Sequence, residues 1–221
     1  MKIKVIITGA TGMVGEGVLL ECLRSPDVAQ VLLLNRRPSP VRHPKLRELL
    51  VPDFLHLQDV ADQLRGYDAC FYCAGISSRG MDEAEYRRVT YDTTLHVAKT
   101  LLAVAPGLTF GYISGQGANS TSRMMWARVK AETENALCKL PFKHVYAMRP
   151  GMMKPTEGQQ NVKTADRVPS LLYPLLRVVL PSQTITLHEI GQAMINSVRN
   201  GTPKPVLEMN DIKALAASKG L

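Results

Sequence analysis

The chain is poor in every feature that would make it a membrane-spanning, disulfide-stapled or metal-binding protein. No stretch approaches the ~18 consecutive apolar residues a bilayer span needs. Residues 171–180 come nearest, and Pro174 and Arg177 interrupt them. Lys2 and Lys4 lead into a strand, not into an apolar run with a small-residue cleavage site, so a cytoplasmic location is expected. Four cysteines are too few to staple 221 residues. Cys70 and Cys73 form a CxxC, but on a strand residues at that spacing point to opposite faces, and plain core cysteines are expected. His43, His56, His96, His144 and His188 lack metal-ligand spacing, so no metal is expected. The sequence around Ser114 lacks the G-x-S-x-G form of a hydrolase elbow. Long basic runs are missing as well, although the formal charge is +8. Arg36-Arg37 and Arg87-Arg88 are the densest pairs, and no nucleic-acid partner is expected.

What is present begins at the first residues. A β-branched run, Ile3 to Ile7, enters Gly9-Ala10-Thr11-Gly12-Met13-Val14-Gly15, and a helical pattern follows over 14–24. Strand, glycine turn and helix in that order form the context in which a glycine-rich motif holds a dinucleotide pyrophosphate. Gly9 permits the tight turn, Gly12 lets the backbone approach the phosphates, and Gly15 lets helix and strand pack closely. The free N–H groups of the first helical turn then face the anion.

Strands and helices alternate from there on. Strands are expected at 30–34, 46–51, 68–73, 108–113 and 143–149, with helices at 59–65, 82–104 and 124–139. That alternation predicts an α/β chain with a doubly wound parallel sheet, ligands binding beyond the carboxyl ends of the strands. Residues 1–151 are read as the nucleotide-binding core. Residues 152–221 are read as a small C-terminal substrate or lid region of the same domain, with an irregular polar stretch at 155–168. Helical patterns follow at 171–180 and 188–199, then a short strand at 205–209 and a last helix at 211–219 near an Asn210 or Asp211 cap.

The second strand ends in Asn35, Arg36 and Arg37 where an NAD-preferring site carries an acidic residue. No carboxylate repels a 2′-phosphate there, and two guanidiniums are available to clasp it, so NADP(H) is favoured over NAD(H).

These motifs resemble those of the atypical short-chain dehydrogenase/reductases. The likeness is carried by TGATGMVG at 8–15, Asp53-Phe54, Cys73-Ala74-Gly75, ISGQGA at 113–118, WARVK at 126–130 and RPG at 149–151. The chain is similar to small Tat-interacting oxidoreductase-like and epimerase/dehydratase-like members, LEMNDIKALA at 207–216 included. The resemblance implies that Asp53 and Phe54 approach the adenine. It implies that Cys73, Ala74 and Gly75 run along the cofactor and that Pro150 and Gly151 lie near the nicotinamide. It gives Ser114 the task of orienting the substrate oxygen and Lys130 that of supporting proton transfer and holding the nicotinamide ribose. The tyrosine of such reductases is not matched: one helical turn before Lys130 stands Trp126, whose indole is no practical acid at neutral pH. Tyr112 and Tyr91 are expected to be packing residues.

Two functions therefore stand side by side. One is an NADP(H)-dependent oxidoreductase acting on a small carbonyl or hydroxyl compound. The other is a weakly active or inactive NADP(H)-binding regulatory protein with a protein partner. Monomer and homodimer both fit, and the substrate is not readable.

Overall fold

A computed structural model of the chain describes residues 2–162, 173, 179 and 181–218. Nine strands are described: β1 (Ile3–Thr8), β2 (Val28–Asn35), β3 (Leu46–Leu50), β4 (Ala69–Tyr72), β5 (Thr109–Ile113), β6 (His144–Met148), β7 (Met152–Lys154), β8 (Thr184–Thr186) and β9 (Val206–Leu207). The α-helices are α1 (Met13–Arg24), α2 (Glu83–Arg87), α3 (Thr93–Val104), α4 (Met125–Leu137), α5 (Leu187–Arg199) and α6 (Met209–Ala217). Seven strands form one parallel sheet in the order β3-β2-β1-β4-β5-β6-β9. The chain grows outward from β1 to β3, then returns to β4 and grows the other way. The switch point therefore lies between the carboxyl ends of β1 and β4, where a Rossmann sheet takes its ligand.

Both faces of the sheet are covered, which explains why its central strands are apolar throughout instead of alternating. Val5 and Ile7 face Val18, Leu19, Ile190 and Met194 in one core, while Ile6 joins Cys70, Tyr72, Tyr112 and Leu101 in the other. Cys70 and Cys73 carry free thiols, and Cys70 sits in the core as expected.

Several boundaries differ from the sequence reading. The helix expected at 59–65 begins earlier, as 3-10 turns over Phe54–Leu64, because the Asp53 carboxylate caps it through the Leu55 N–H. The long helix at 82–104 is present but carries one π turn, Arg88–Asp92, between α2 and α3. The last helix starts at Met209, since Glu208 is its cap and Asp211 reaches back to the Glu208 N–H. The β7–β8 pair had no sequence signal, its strands being three residues each. The helix expected at 171–180 lies outside the described residues apart from Tyr173 and Val179. Ile185, Leu187, Leu207 and Ile212 are core residues, so the chain beyond 184 completes the sheet and its cover. Among the described residues no helix is long and apolar enough to cross a membrane.

Candidate functional site

The site is built where β1 stops. Gly9 adopts φ +71°, and a Cβ there would lie 2.6 Å from the Ala74 nitrogen. Only glycine lets the turn after β1 nest against the loop after β4. The Ala74 N–H donates to Thr8 Oγ1 at 3.2 Å, clipping the two loops together. Gly15 is equally confined: a Cβ would come within 2.2 Å of the Gly9 carbonyl oxygen. Helix α1 therefore springs directly from the turn, and its start at Gly12 has no side-chain cap. Uncapped amides at a helix start, backed by the helix dipole, are what a pyrophosphate requires.

A cavity of about 570 Å³ opens over this turn. It is walled by Gly9, Thr11, Gly12, Asn35, Arg36, Arg37, Phe54, Cys73, Ala74 and Gly75, together with Leu34 and Pro52. The structure thus gathers ten of the residues singled out from sequence into one cleft. Met13 and Val14 stand in the first turn of α1 with side chains packed against the core, which leaves them their backbone as the means of contact. Asp53 is not part of the wall: its carboxylate accepts from the Leu55 N–H and meets His56 Nδ1, and these contacts hold it below the usual carboxylate range. Asn35 lines the cavity but its amide nitrogen is engaged, donating to Glu48 Oε1 at 3.0 Å. The same carboxylate oxygen accepts from the Ser39 N–H at 2.8 Å, so Glu48 shapes the turn that carries Arg36 and Arg37. Both arginines are exposed, and among the described residues neither guanidinium is in an ion pair.

The second group of candidates lies at the carboxyl ends of β5 and β6. Ser114 N–H donates to the Met148 carbonyl and Gln116 N–H to the Pro150 carbonyl, which places the Ser114 and Pro150-Gly151 loops edge to edge. Ser114 is 5% exposed and its Oγ has no hydrogen-bond partner among the described residues. Lys130, rising from α4, donates from Nζ to the carbonyls of Ile113 and Ser114 at 3.2 Å each. Its Nζ also stands 5.3 Å from the centre of the Tyr112 ring. Burial pulls the Lys130 amine down to about 8, opposed by the Glu134 carboxylate. Glu134 itself is buried and held by a two-pronged contact from Arg149, which also reaches Glu208. Tyr112 is buried as expected of a packing residue, while Tyr91 is half-buried beneath the Arg87 guanidinium. Trp126 is half-buried beside the 115–117 turn.

Three contributors were not picked out from sequence. Glu48 carries the arginine turn, and Gln116 packs over Gly151, where a Cβ would meet its Oε1. Glu16, 2% exposed in the first turn of α1, accepts from the N–H groups of Gln160 and Asn161. A carboxylate in the first turn of α1, next to the glycine motif, was the available signal for it.

Residues 5–120 match the family model described as NAD dependent epimerase/dehydratase family. The rat protein HTATIP2 is 31% identical over 152 residues, which is 67% of this chain and 62% of that protein. "Protein fmp52, mitochondrial" of Aspergillus clavatus is 28% identical over 154 residues, 67% of this chain and 66% of its own length. The match thus spans somewhat less than two thirds of these relatives, and the fungal label gives no support to a cytoplasmic location. Among solved structures, Bordetella bronchiseptica WbmF in complex with NAD+ superposes with a TM-score of 0.67 at 16% identity. That match covers 97% of this chain and 76% of WbmF. The chain belongs to the NAD-dependent epimerase/dehydratase family, as an atypical short-chain dehydrogenase/reductase.

Proposed function

We propose that the protein is an NADP(H)-binding oxidoreductase acting on a small carbonyl or hydroxyl compound. The observation that carries the cofactor reading is the pair Arg36 and Arg37 at the lip of the glycine cavity, exposed and outside any ion pair among the described residues. The uncapped start of α1 would hold the pyrophosphate, Phe54 and Pro52 the adenine side, and the loop at Cys73, Ala74 and Gly75 the path toward the nicotinamide. A forked guanidinium meets phosphate oxygens in pairs, and with no acidic residue on this turn a 2′-phosphate is favoured over a bare ribose. The cofactor, when bound, supplies or accepts a hydride. Ser114, with a buried and unpartnered hydroxyl, would orient the substrate oxygen, and Lys130 would hold the ribose beside it. In this reading residues 1–151 form the cofactor-binding core and parts of 152–221 frame the substrate.

Titration of the protein with NADPH and NADH tests the cofactor. Replacing both Arg36→Ala and Arg37→Ala should weaken NADPH by about two powers of ten, one charge-assisted phosphate contact being worth ~1.5–3 kcal/mol, and leave NADH within about threefold. Equal weakening of both nucleotides refutes the 2′-phosphate assignment.

A second reading is favoured by Trp126, which stands where related reductases are expected to carry their tyrosine. It makes the chain an NADP(H)-bound regulatory or interaction protein without turnover. Tight NADPH binding with no oxidation by any carbonyl would support it over the first.

A further inference from the structure

We propose that Lys130 itself delivers the proton to the substrate oxygen, in place of a phenol; the inference rests on the oxidoreductase reading above. The indole of Trp126 and the stem of Lys130 pack on the same turn. A Cβ on Gly115 would lie 3.5 Å from Trp126 Cζ3 and 3.7 Å from Lys130 Cδ. One on Gly117 would lie 3.9 Å from Trp126 Cη2. The ring that fills the position one helical turn before Lys130 therefore presents a carbon edge to the 115–117 turn, and its N–H is no acid. Tyr112, whose ring centre stands 5.3 Å from the amine, serves no better. Its hydroxyl is buried and pushed well above its ordinary range by burial, by Tyr86 and Tyr72, and by Glu134.

The amine is placed for the task by what it touches. Two of its three N–H bonds go to the carbonyls of Ile113 and Ser114, leaving the third for a ligand beside Ser114. The unpartnered Ser114 Oγ supplies the second contact that a substrate oxygen needs. Glu134 lies one turn further along α4, Arg149 at the end of β6 is paired with Glu134, and Tyr112 faces the amine from β5. Arg149 engages that carboxylate, whose charge opposes the downward pull of burial on Lys130 without cancelling it. An ammonium that gives up its proton at about 8 is matched to acid catalysis near neutral pH.

The step balances. The carbonyl carbon accepts a hydride from the reduced nicotinamide, and the electron pair of the C=O π bond moves onto oxygen. That oxygen takes a proton from Nζ as one N–H bond breaks and an O–H bond forms. The carbonyl compound is reduced, the nicotinamide is oxidised, and Lys130, left as a neutral amine, recovers its proton from water.

The test uses Lys130→Arg, which keeps the positive charge but cannot give up a proton. Trp126 is the single tryptophan, so its fluorescence reports on this cleft alone. Without cofactor, wild-type emission should titrate with a midpoint of about 8 and the variant should show no transition there. With NADPH and a carbonyl panel, single-turnover oxidation by wild type should be flat below that pH and fall about tenfold per unit above it. At saturating NADPH, Lys130→Arg should lose about 100-fold or more in hydride transfer and lose the pH dependence. A Trp126→Tyr change on top of Lys130→Arg should recover part of the rate. Equal rates and unchanged pH profiles in wild type and Lys130→Arg overturn the proposal and leave the oxidoreductase reading standing. No turnover by wild type despite bound NADPH overturns both.

Discussion

At the scale of single residues, Lys130 shows what burying an amine costs the fold. Its amine is pulled from 10.5 to about 8 by burial, so folding disfavours its charged form. Below about 8 both folded and unfolded chains hold the proton, and the whole penalty is present. Between about 8 and 10.5 the folded chain has lost the proton and the unfolded chain still binds it, so stability rises with pH through that window. Lys130→Met should therefore be more stable than wild type at neutral pH by an amount that shrinks as pH climbs to 10.5. Urea midpoints of the two proteins, compared at a series of pH values, measure it. A constant difference across the window contradicts the buried-ammonium account. The cost also explains why Lys130 is hard to weigh from sequence. A lysine on a helix is ordinarily solvated, and only the packing of α4 onto β5 brings its Nζ to the carbonyls of Ile113 and Ser114.

At the scale of elements, α4 is locked in place by its own buried acid. Glu134 keeps only 2% of its side chain in contact with solvent and is gripped by Arg149, which carries the connection on to Glu208 ahead of α6. Helix α4, strand β6 and helix α6 are thus tied at one point behind Lys130. Removing one partner of a buried pair leaves the other charge without compensation. Glu134→Gln should cost about 3 kcal/mol in urea unfolding, the low end for such pairs, because Arg149 retains a fifth of its side chain in water. Adding Arg149→Met should return part of that loss; a double variant no better than the single one argues against coupling. Legibility in the sequence follows the same division between local and long-range causes. Strands β1 to β6 and helices α1, α4 and α5 were readable because apolar run length and glycine punctuation are local. So was the glycine cavity, since its turn is contiguous in sequence. The early start of the 3-10 turns at Phe54 depends on one Asp53 cap, and the β7–β8 pair depends on partners 32 residues apart. Neither leaves a periodic trace. The propping of Asn35 by Glu48 is likewise a contact across strands that no linear pattern announces.

At the scale of the whole molecule, helix α1 is tied both to residues 156–161 and to helix α5. Helices α1 and α5 share a core face through Val18, Leu19, Ile190 and Met194. Glu16, in the first turn of α1 beside the glycine cavity, accepts the N–H groups of Gln160 at 2.9 Å and Asn161 at 2.7 Å. Gln159 completes the attachment by donating to the Met13 carbonyl and accepting from the Thr156 N–H. The backbone after β7 is therefore pinned to the same turn whose free amides would receive a pyrophosphate. A negative side chain in a first helical turn is favourable by itself, but here both of its oxygens hold another segment. Whatever steadies the start of α1 must then steady residues 156–161. NADPH at about 100 times its dissociation constant should stabilise the fold by ~2.7 kcal/mol. Part of that gain should appear as slower amide exchange at Gln160 and Asn161, although neither residue lines the cavity. In Glu16→Ala those two amides should exchange faster without ligand, and NADPH should no longer protect them, while protection at Gly9 and Gly12 persists. Undiminished NADPH protection of Gln160 and Asn161 in that variant would show that the two regions respond to the nucleotide independently.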